Sequence, residues 1–189
     1  PREVEEVLVA HMRNDEVFRY LRYRAIGMLA SPSWRMRNAG VKMAGLLRIR
    51  EELPILLRFL TDRTPASRLR RLLGGDFFQN GFIRRNTVDA ITLVGIWNED
   101  VREALITALS DPYFEVRSHA AHAVVSMSDL IVSDERLEQS LVRNTWNRSF
   151  EVVTESAYAL GCIGVTGATI ERLYELLMHD NWKVREATL

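Results

Sequence analysis

A single cysteine, Cys162, occurs among 189 residues. No internal disulfide framework is possible, and a lone thiol fits a reducing, cytoplasmic setting. The longest apolar run, Ala90 to Trp97, already contains Thr92, far short of the roughly 18 uninterrupted apolar residues of a membrane span. No phosphate loop, dinucleotide fingerprint or nucleophile elbow is present: Gly74-Gly75 lacks the following glycine and lysine. His119 and His122 sit three apart on one stretch, but no third ligand at suitable spacing accompanies them, so no metal site is expected. Cys162 follows Leu160 at a core-like position and reads as a small buried packing residue. The chain opens on Pro1 and stops at Leu189 inside a helical pattern, which is expected of a fragment of a longer protein. No catalytic constellation, cofactor or small-molecule substrate is expected from these residues.

What is present is apolar surface, at 47% of residues, and ordinary charge, at 26%. The net charge of zero hides an asymmetry. Residues 1–85 hold 17 lysines and arginines against 9 acidic residues, a balance of +8, and residues 86–189 hold 8 against 16, a balance of −8. In an elongated fold, charge that segregates along the chain also segregates in space.

Strand signals are absent and a repeat is visible. Ser33-Trp34-Arg35-Met36-Arg37, Gly81-Phe82-Ile83-Arg84-Arg85, Tyr113-Phe114-Glu115-Val116-Arg117 and Asn181-Trp182-Lys183-Val184-Arg185 align without gaps. Ser149-Phe150-Glu151-Val152-Val153 joins them, with Val153 where the others have arginine. The aromatics at 34, 82, 114, 150 and 182 are separated by 48, 32, 36 and 32 residues. Each opens a helix, with Ser31-Pro32 and Asp111-Pro112 placing a capping oxygen before a proline at the first helical position. An amphipathic helix precedes each aromatic, as in Val101, Leu105, Ala108 and Leu109 after an Asn98 cap. Small residues such as Ala120, Ala121 and Ala123 allow close approach of a neighbouring helix. The spacing predicts five helix pairs over 16–30/33–48, 51–62/80–97, 98–110/112–128, 133–146/149–163 and 167–179/181–189, with a lone helix at 3–13.

The run Asp111-Pro112-Tyr113-Phe114-Glu115-Val116-Arg117-Ser118-His119-Ala120-Ala121-His122-Ala123 resembles the second-helix signature of the HEAT repeat family, in particular the short bacterial repeats related to phycobilin lyase subunits. The resemblance implies an all-α, α-α superhelix (a HEAT/armadillo-like solenoid) over residues 1–189, interrupted by a basic insertion at 63–81. Stacked pairs bury a stripe that one pair cannot bury alone. The aromatics Trp34, Phe82, Phe114, Phe150 and Trp182 are therefore expected to plug the seams between pairs. The arginines Arg37, Arg85, Arg117 and Arg185 are expected to form a ladder to carboxylates or helix-end carbonyls between repeats. Some HEAT-like enzymes hold iron through His-Glu dipeptides, yet none of His11, His119, His122 and His179 precedes a glutamate.

Second helices line the inner, concave curve in this family, and their outward positions are Arg35, Asn38 and Lys42, then Asn86 and Asp89, then Glu115, His119 and His122, then Glu151, Glu155 and Tyr158. That face runs from basic to acidic, which suits another protein of bipolar charge, or self-association, and would repel a continuous phosphate backbone. The insertion adds Arg68, Arg70 and Arg71 beside Phe77 and Phe78, a second candidate binding element. A protein-binding scaffold is the expected function. The alternative is an enzyme or enzyme subunit of the bilin-lyase-like or nucleic-acid-repair kind.

Overall fold

The computed structural model describes residues 15–61 and 77–189. Among them the chain forms ten α-helices and no strand. In order they are α1 (Asp15–Leu29), α2 (Trp34–Leu46), α3 (Leu53–Phe59), α4 (Phe77–Val94), α5 (Glu99–Ala108), α6 (Phe114–Ser126), α7 (Glu135–Asn144), α8 (Phe150–Ile163), α9 (Gly167–Leu176) and α10 (Trp182–Ala187). Short 3₁₀ turns occupy Arg50–Glu52 and Ser128–Leu130. Four first helices pack on the second helix of their own pair, α1 on α2, α3 on α4, α5 on α6 and α7 on α8, as expected, whereas α10 packs chiefly on α8. The expected lone helix at 3–13 and the insertion arginines Arg68, Arg70 and Arg71 lie outside the described residues. Phe77 and Phe78, expected in the inserted loop, instead open helix α4.

Two compact units are formed, Pro1–Ile96 and Trp97–Leu189. In the first, α2 packs on both α1 and α4, and α3 on α4. Gly45 permits the α2–α4 approach: a Cβ there would stand 2.6 Å from Ala90 Cα and 2.8 Å from its Cβ. Gly95, at φ 68°, ends α4 in the left-handed region that favours glycine. In the second unit, second helix stacks on second helix, α6 on α8 and α8 on α10, while α5 packs on α7. The buried layer there holds Val116, Ala120, Ala121, Val124, Val152 and Leu160. Fully burying side chains of valine or leucine size stabilises by about 1.5–3 kcal/mol each.

The turn inside four of the pairs repeats one device. Ser31 Oγ accepts from the Ser33 amide, Asp111 Oδ1 from Tyr113, Asn147 Oδ1 from Ser149 and His179 Nδ1 from Asn181. Ser31 and Asp111 therefore fix the turn rather than cap the helix as expected, and helices start later, with Ser33 and Tyr113 at the N-cap positions. The arginine column closes the same turns. Arg37 donates to the carbonyls of Ser31 and Pro32, Arg117 to that of Asp111, and Arg185 to those of His179 and Asp180. The expected partner type, a helix-end carbonyl, is present, but it belongs to the arginine's own pair. A 3.5 Å contact from Arg117 Nη2 to Asn147 Oδ1 reaches the next pair. Burial lowers the Arg117 pKa, and the nearby Asp111 charge opposes that shift.

The aromatics do not plug the seams. Trp34 and Phe82 are half-buried, and Phe114 and Trp182 are 38% and 60% exposed. Trp34, Phe114, Phe150 and Trp182 open their helices, whereas Phe82 lies more than one turn inside α4; Arg35 lies 5.3 Å from the Trp34 centroid, Arg85 5.1 Å from that of Phe82 and Lys183 5.8 Å from both Phe150 and Trp182. In the second unit the seam is filled by the valine two positions later, Val116, Val152 or Val184, each fully buried. Two helical steps rotate a side chain by about 200°, which carries it from rim to core. Cys162 is likewise exposed, not buried. It stands two steps beyond the buried Leu160, and the same rotation turns it outward.

Candidate functional site

The outward positions of the second helices form a polar surface on each unit. In the first, Asn38 of α2 and Asn86 of α4 meet through a 2.7 Å bond from Asn86 Nδ2 to Asn38 Oδ1. Both residues stand four positions after their aromatic, so stacking in register brings like onto like. Asn86 is buried rather than outward-facing, and Arg85 Nη2 lies 3.4 Å from its Oδ1. One turn further along, Lys42, Asn86 and Asp89 surround an open recess of about 230 Å³ floored by Leu46, Ala90 and Leu93. Three of the five residues expected on this part of the face thus converge on one hollow. Arg35 lies apart from it, over Trp34.

On the second unit, His122 Nδ1 approaches Glu155 Oε2 at 3.2 Å, joining α6 to α8. Glu151 accepts from its own helix-start Ser149 hydroxyl at 2.6 Å. Tyr158 is exposed on the same helix. Among the described residues no group of three or more His, Cys, Asp or Glu side chains is placed to hold a metal ion. No described helix is long and apolar enough to cross a membrane.

Sequence reading missed the polar contacts that join one pair to the next. Arg102 of α5 reaches Asp134, the N-cap of α7, at 3.1 Å, and also holds Glu99 and Glu103. Arg136 embraces Glu103 with both nitrogens. Hydrogen bonding from Arg136 is the main cause that lowers the Glu103 pKa. Glu138 of α7 plays the corresponding part toward α9: Thr166 gives it an amide and a hydroxyl bond, both 2.8 Å, and Thr169 a hydroxyl at 2.5 Å. Burial works against its ionised form, but these donors outweigh burial and hold its pKa below the ordinary carboxylate value. Arg102 and Glu138 both stand four residues after an N-cap, Asn98 and Asp134. That shared register is the signal by which they were findable.

No family model matches the sequence, and no curated protein matches it. Solved structures do. The complex of CpcE and CpcF of phycocyanin lyase from Nostoc sp. PCC7120 contains a chain similar to this one at 24% identity and TM-score 0.65, over 87% of this chain and 60% of that one. An engineered protein of known crystal structure matches at 15% identity and TM-score 0.68, over 100% of this chain and 81% of that one. This chain therefore spans 60% of the length of the phycocyanin lyase chain it resembles. At these identities the likeness carries the fold alone: an all-α protein of packed helical repeats.

Proposed function

We propose that this chain is a HEAT-like protein-binding module that engages another protein through the outward face of its second helices. The observation that carries the reading is the recess between α2 and α4. Lys42, Asn86 and Asp89 stand around an apolar floor, so a partner side chain gains burial from the floor and orientation from the rim. Charges of both signs at one recess fit a protein surface better than a phosphate backbone. In the second unit, the exposed Tyr158 beside the His122–Glu155 pair adds an aromatic contact to a polar rim. The similar chain from Nostoc belongs to a complex of two proteins, a further support for a protein partner.

Surface charges set encounter rate and orientation more than final affinity, and salt screens them beyond about 8–10 Å. Recovery of a partner from native lysate, at low and high salt, tests the reading with Lys42→Glu and Asp89→Lys variants. Partner recovery falls with each variant and with salt; recovery indifferent to both removes this face from the account.

A second reading, an enzyme subunit of the bilin-lyase-like kind, is favoured by the likeness to the phycocyanin lyase complex. Titration with a linear tetrapyrrole, followed by visible absorbance, tests it: a saturable spectral shift supports this reading, and an unchanged spectrum removes it.

A further inference from the structure

The recess between α2 and α4 carries spare hydrogen-bond donors on its α2 side. Asn38 and Lys42 stand one turn apart on α2, a spacing that keeps two side chains on one helix face, with Cβ atoms about 5–6 Å apart. The orientation of the Asn38 amide follows from its neighbours. A guanidinium only donates, and Arg85 Nη2 lies 3.4 Å from the Asn86 oxygen. The Asn86 nitrogen therefore faces Asn38, whose own oxygen accepts from it at 2.7 Å. What Asn38 retains is its Nδ2 donor, on a half-buried side chain. Lys42 is exposed and holds no ion pair among the described residues. The carboxylate among the lining residues, Asp89, is half-buried and already partnered. The groups left for a ligand are two donors, one of them charged.

Beneath the donors the surface is apolar. Leu46, Ala90 and Leu93 form the floor, and Leu93 is 38% exposed, so a side chain seated there removes apolar surface from water. The volume of about 230 Å³ exceeds the roughly 150 Å³ of a cavity that holds benzene. One side chain of leucine, methionine or phenylalanine size fits. Every lining residue belongs to α2 or α4, two helices stacked within one unit, so the hollow depends on neither end of the stack. At longer range, the balance of +8 over residues 1–85 attracts a partner of negative charge.

We propose that the recess takes an acidic–apolar segment of a partner protein. One bulky apolar side chain sits on Leu46, Ala90 and Leu93, an adjacent aspartate or glutamate meets Lys42 Nζ, and a main-chain carbonyl accepts from Asn38 Nδ2. This rests on the protein-binding reading of the same face and adds the chemistry of what binds. A basic segment is repelled by Lys42 and finds Asp89 already partnered, whereas an acidic one satisfies both donors.

Selection of short random peptides displayed on phage against the full chain, with Lys42→Glu as the comparison target, tests the chemistry. Peptides enriched on the wild type carry leucine, methionine or phenylalanine beside aspartate or glutamate, with a net negative charge, and Lys42→Glu does not enrich them. A labelled synthetic copy of an enriched peptide, followed by fluorescence polarisation, loses roughly 10–100-fold in affinity when its apolar residue becomes alanine. Asn38→Asp keeps the oxygen that accepts from Asn86 and replaces only the spare donor, so it weakens the same peptide while circular dichroism stays unchanged. Lys42→Arg, which keeps the charge, retains binding. No enrichment over the Lys42→Glu target, enrichment of basic peptides, or binding indifferent to Asn38→Asp overturns the proposal. Partner recovery from lysate that falls with Lys42→Glu, without acidic enrichment in the library, overturns this segment chemistry alone. Recovery indifferent to Lys42→Glu removes the docking face itself.

Discussion

The guanidinium of Arg172 rests over Trp146, its central carbon 3.4 Å from the ring centroid. The same group donates to the Thr145 hydroxyl at 3.0 Å and carbonyl at 2.9 Å. Thr145 is the C-cap of α7, so an arginine from the next pair closes this helix end. The pair has no arginine of its own at the repeat position: Val153 stands there and joins the core cluster of Ala157, Leu176 and Val184. Closure of the turn has passed from the pair's own second helix to its neighbour's first.

Arg172→Ala removes both hydrogen bonds to Thr145, the exposed ion pair with Glu175 and a cation–π contact, and is expected to cost about 1–3 kcal/mol. Arg172→Lys recovers little, because an ammonium does not reproduce the forked donor over an indole face. Denaturant unfolding of both variants, with Trp146→Ala closing a double-mutant cycle, measures the coupling. Additive effects would remove the relationship.

Glu138 predicts an acid limb in stability. Its folded pKa lies below the ordinary value of 4.5, so its contribution is fully present above that value and is lost as pH falls through the lower, folded pKa. Glu138→Gln keeps an Oε1 acceptor for Thr166 and Thr169 but removes the charge that strengthens all three bonds, and is expected to cost about 1–3 kcal/mol at neutral pH. Thermal melts at pH 7, 5 and 3 should show a smaller acid-induced drop in the variant than in the wild type.

Gly45→Val is expected to destabilise the first unit by about 1–3 kcal/mol, the usual cost of overpacking. The obstacle is backbone: the new Cβ would meet Ala90 Cα at 2.6 Å, and no rotamer relieves it. Hydrogen exchange in α2 and α4 should accelerate, while α6 and α8 keep their protection.

Removing a rim aromatic should cost less than emptying the core. Leu141→Ala, at a fully buried site, is expected to lose about 2–5 kcal/mol, whereas Phe114→Ala should fall below the 3–5 kcal/mol of a buried phenylalanine. Equal losses in denaturant titrations would return Phe114 to the seam.

Helix pairing was legible because apolar periodicity and caps are local. Asn98 accepts from the Val101 amide at 2.9 Å, as its place before an amphipathic run implied. The aromatics misled because conspicuous size at a repeat position suggests a plug, while helical phase sends the valine two residues later inward. Cross-pair contacts such as Arg172 with Thr145 span 27 residues, so only aligned register exposes them. On the candidate face, repeat alignment brought Asn38 onto Asn86 and gathered Lys42 with Asp89. It did not show that Asn86 would be buried, since that depends on how closely Gly45 lets α2 approach α4.

Site-specific photo-crosslinking tests the docking face most directly. A benzophenone amino acid replaces Lys42, Tyr158 or, as a control, the exposed Thr107 on a first helix, and the full chain is irradiated in native lysate. The account predicts that positions 42 and 158 capture the same protein and position 107 does not. Capture from position 107 alone, or with equal yield from all three positions, would contradict it.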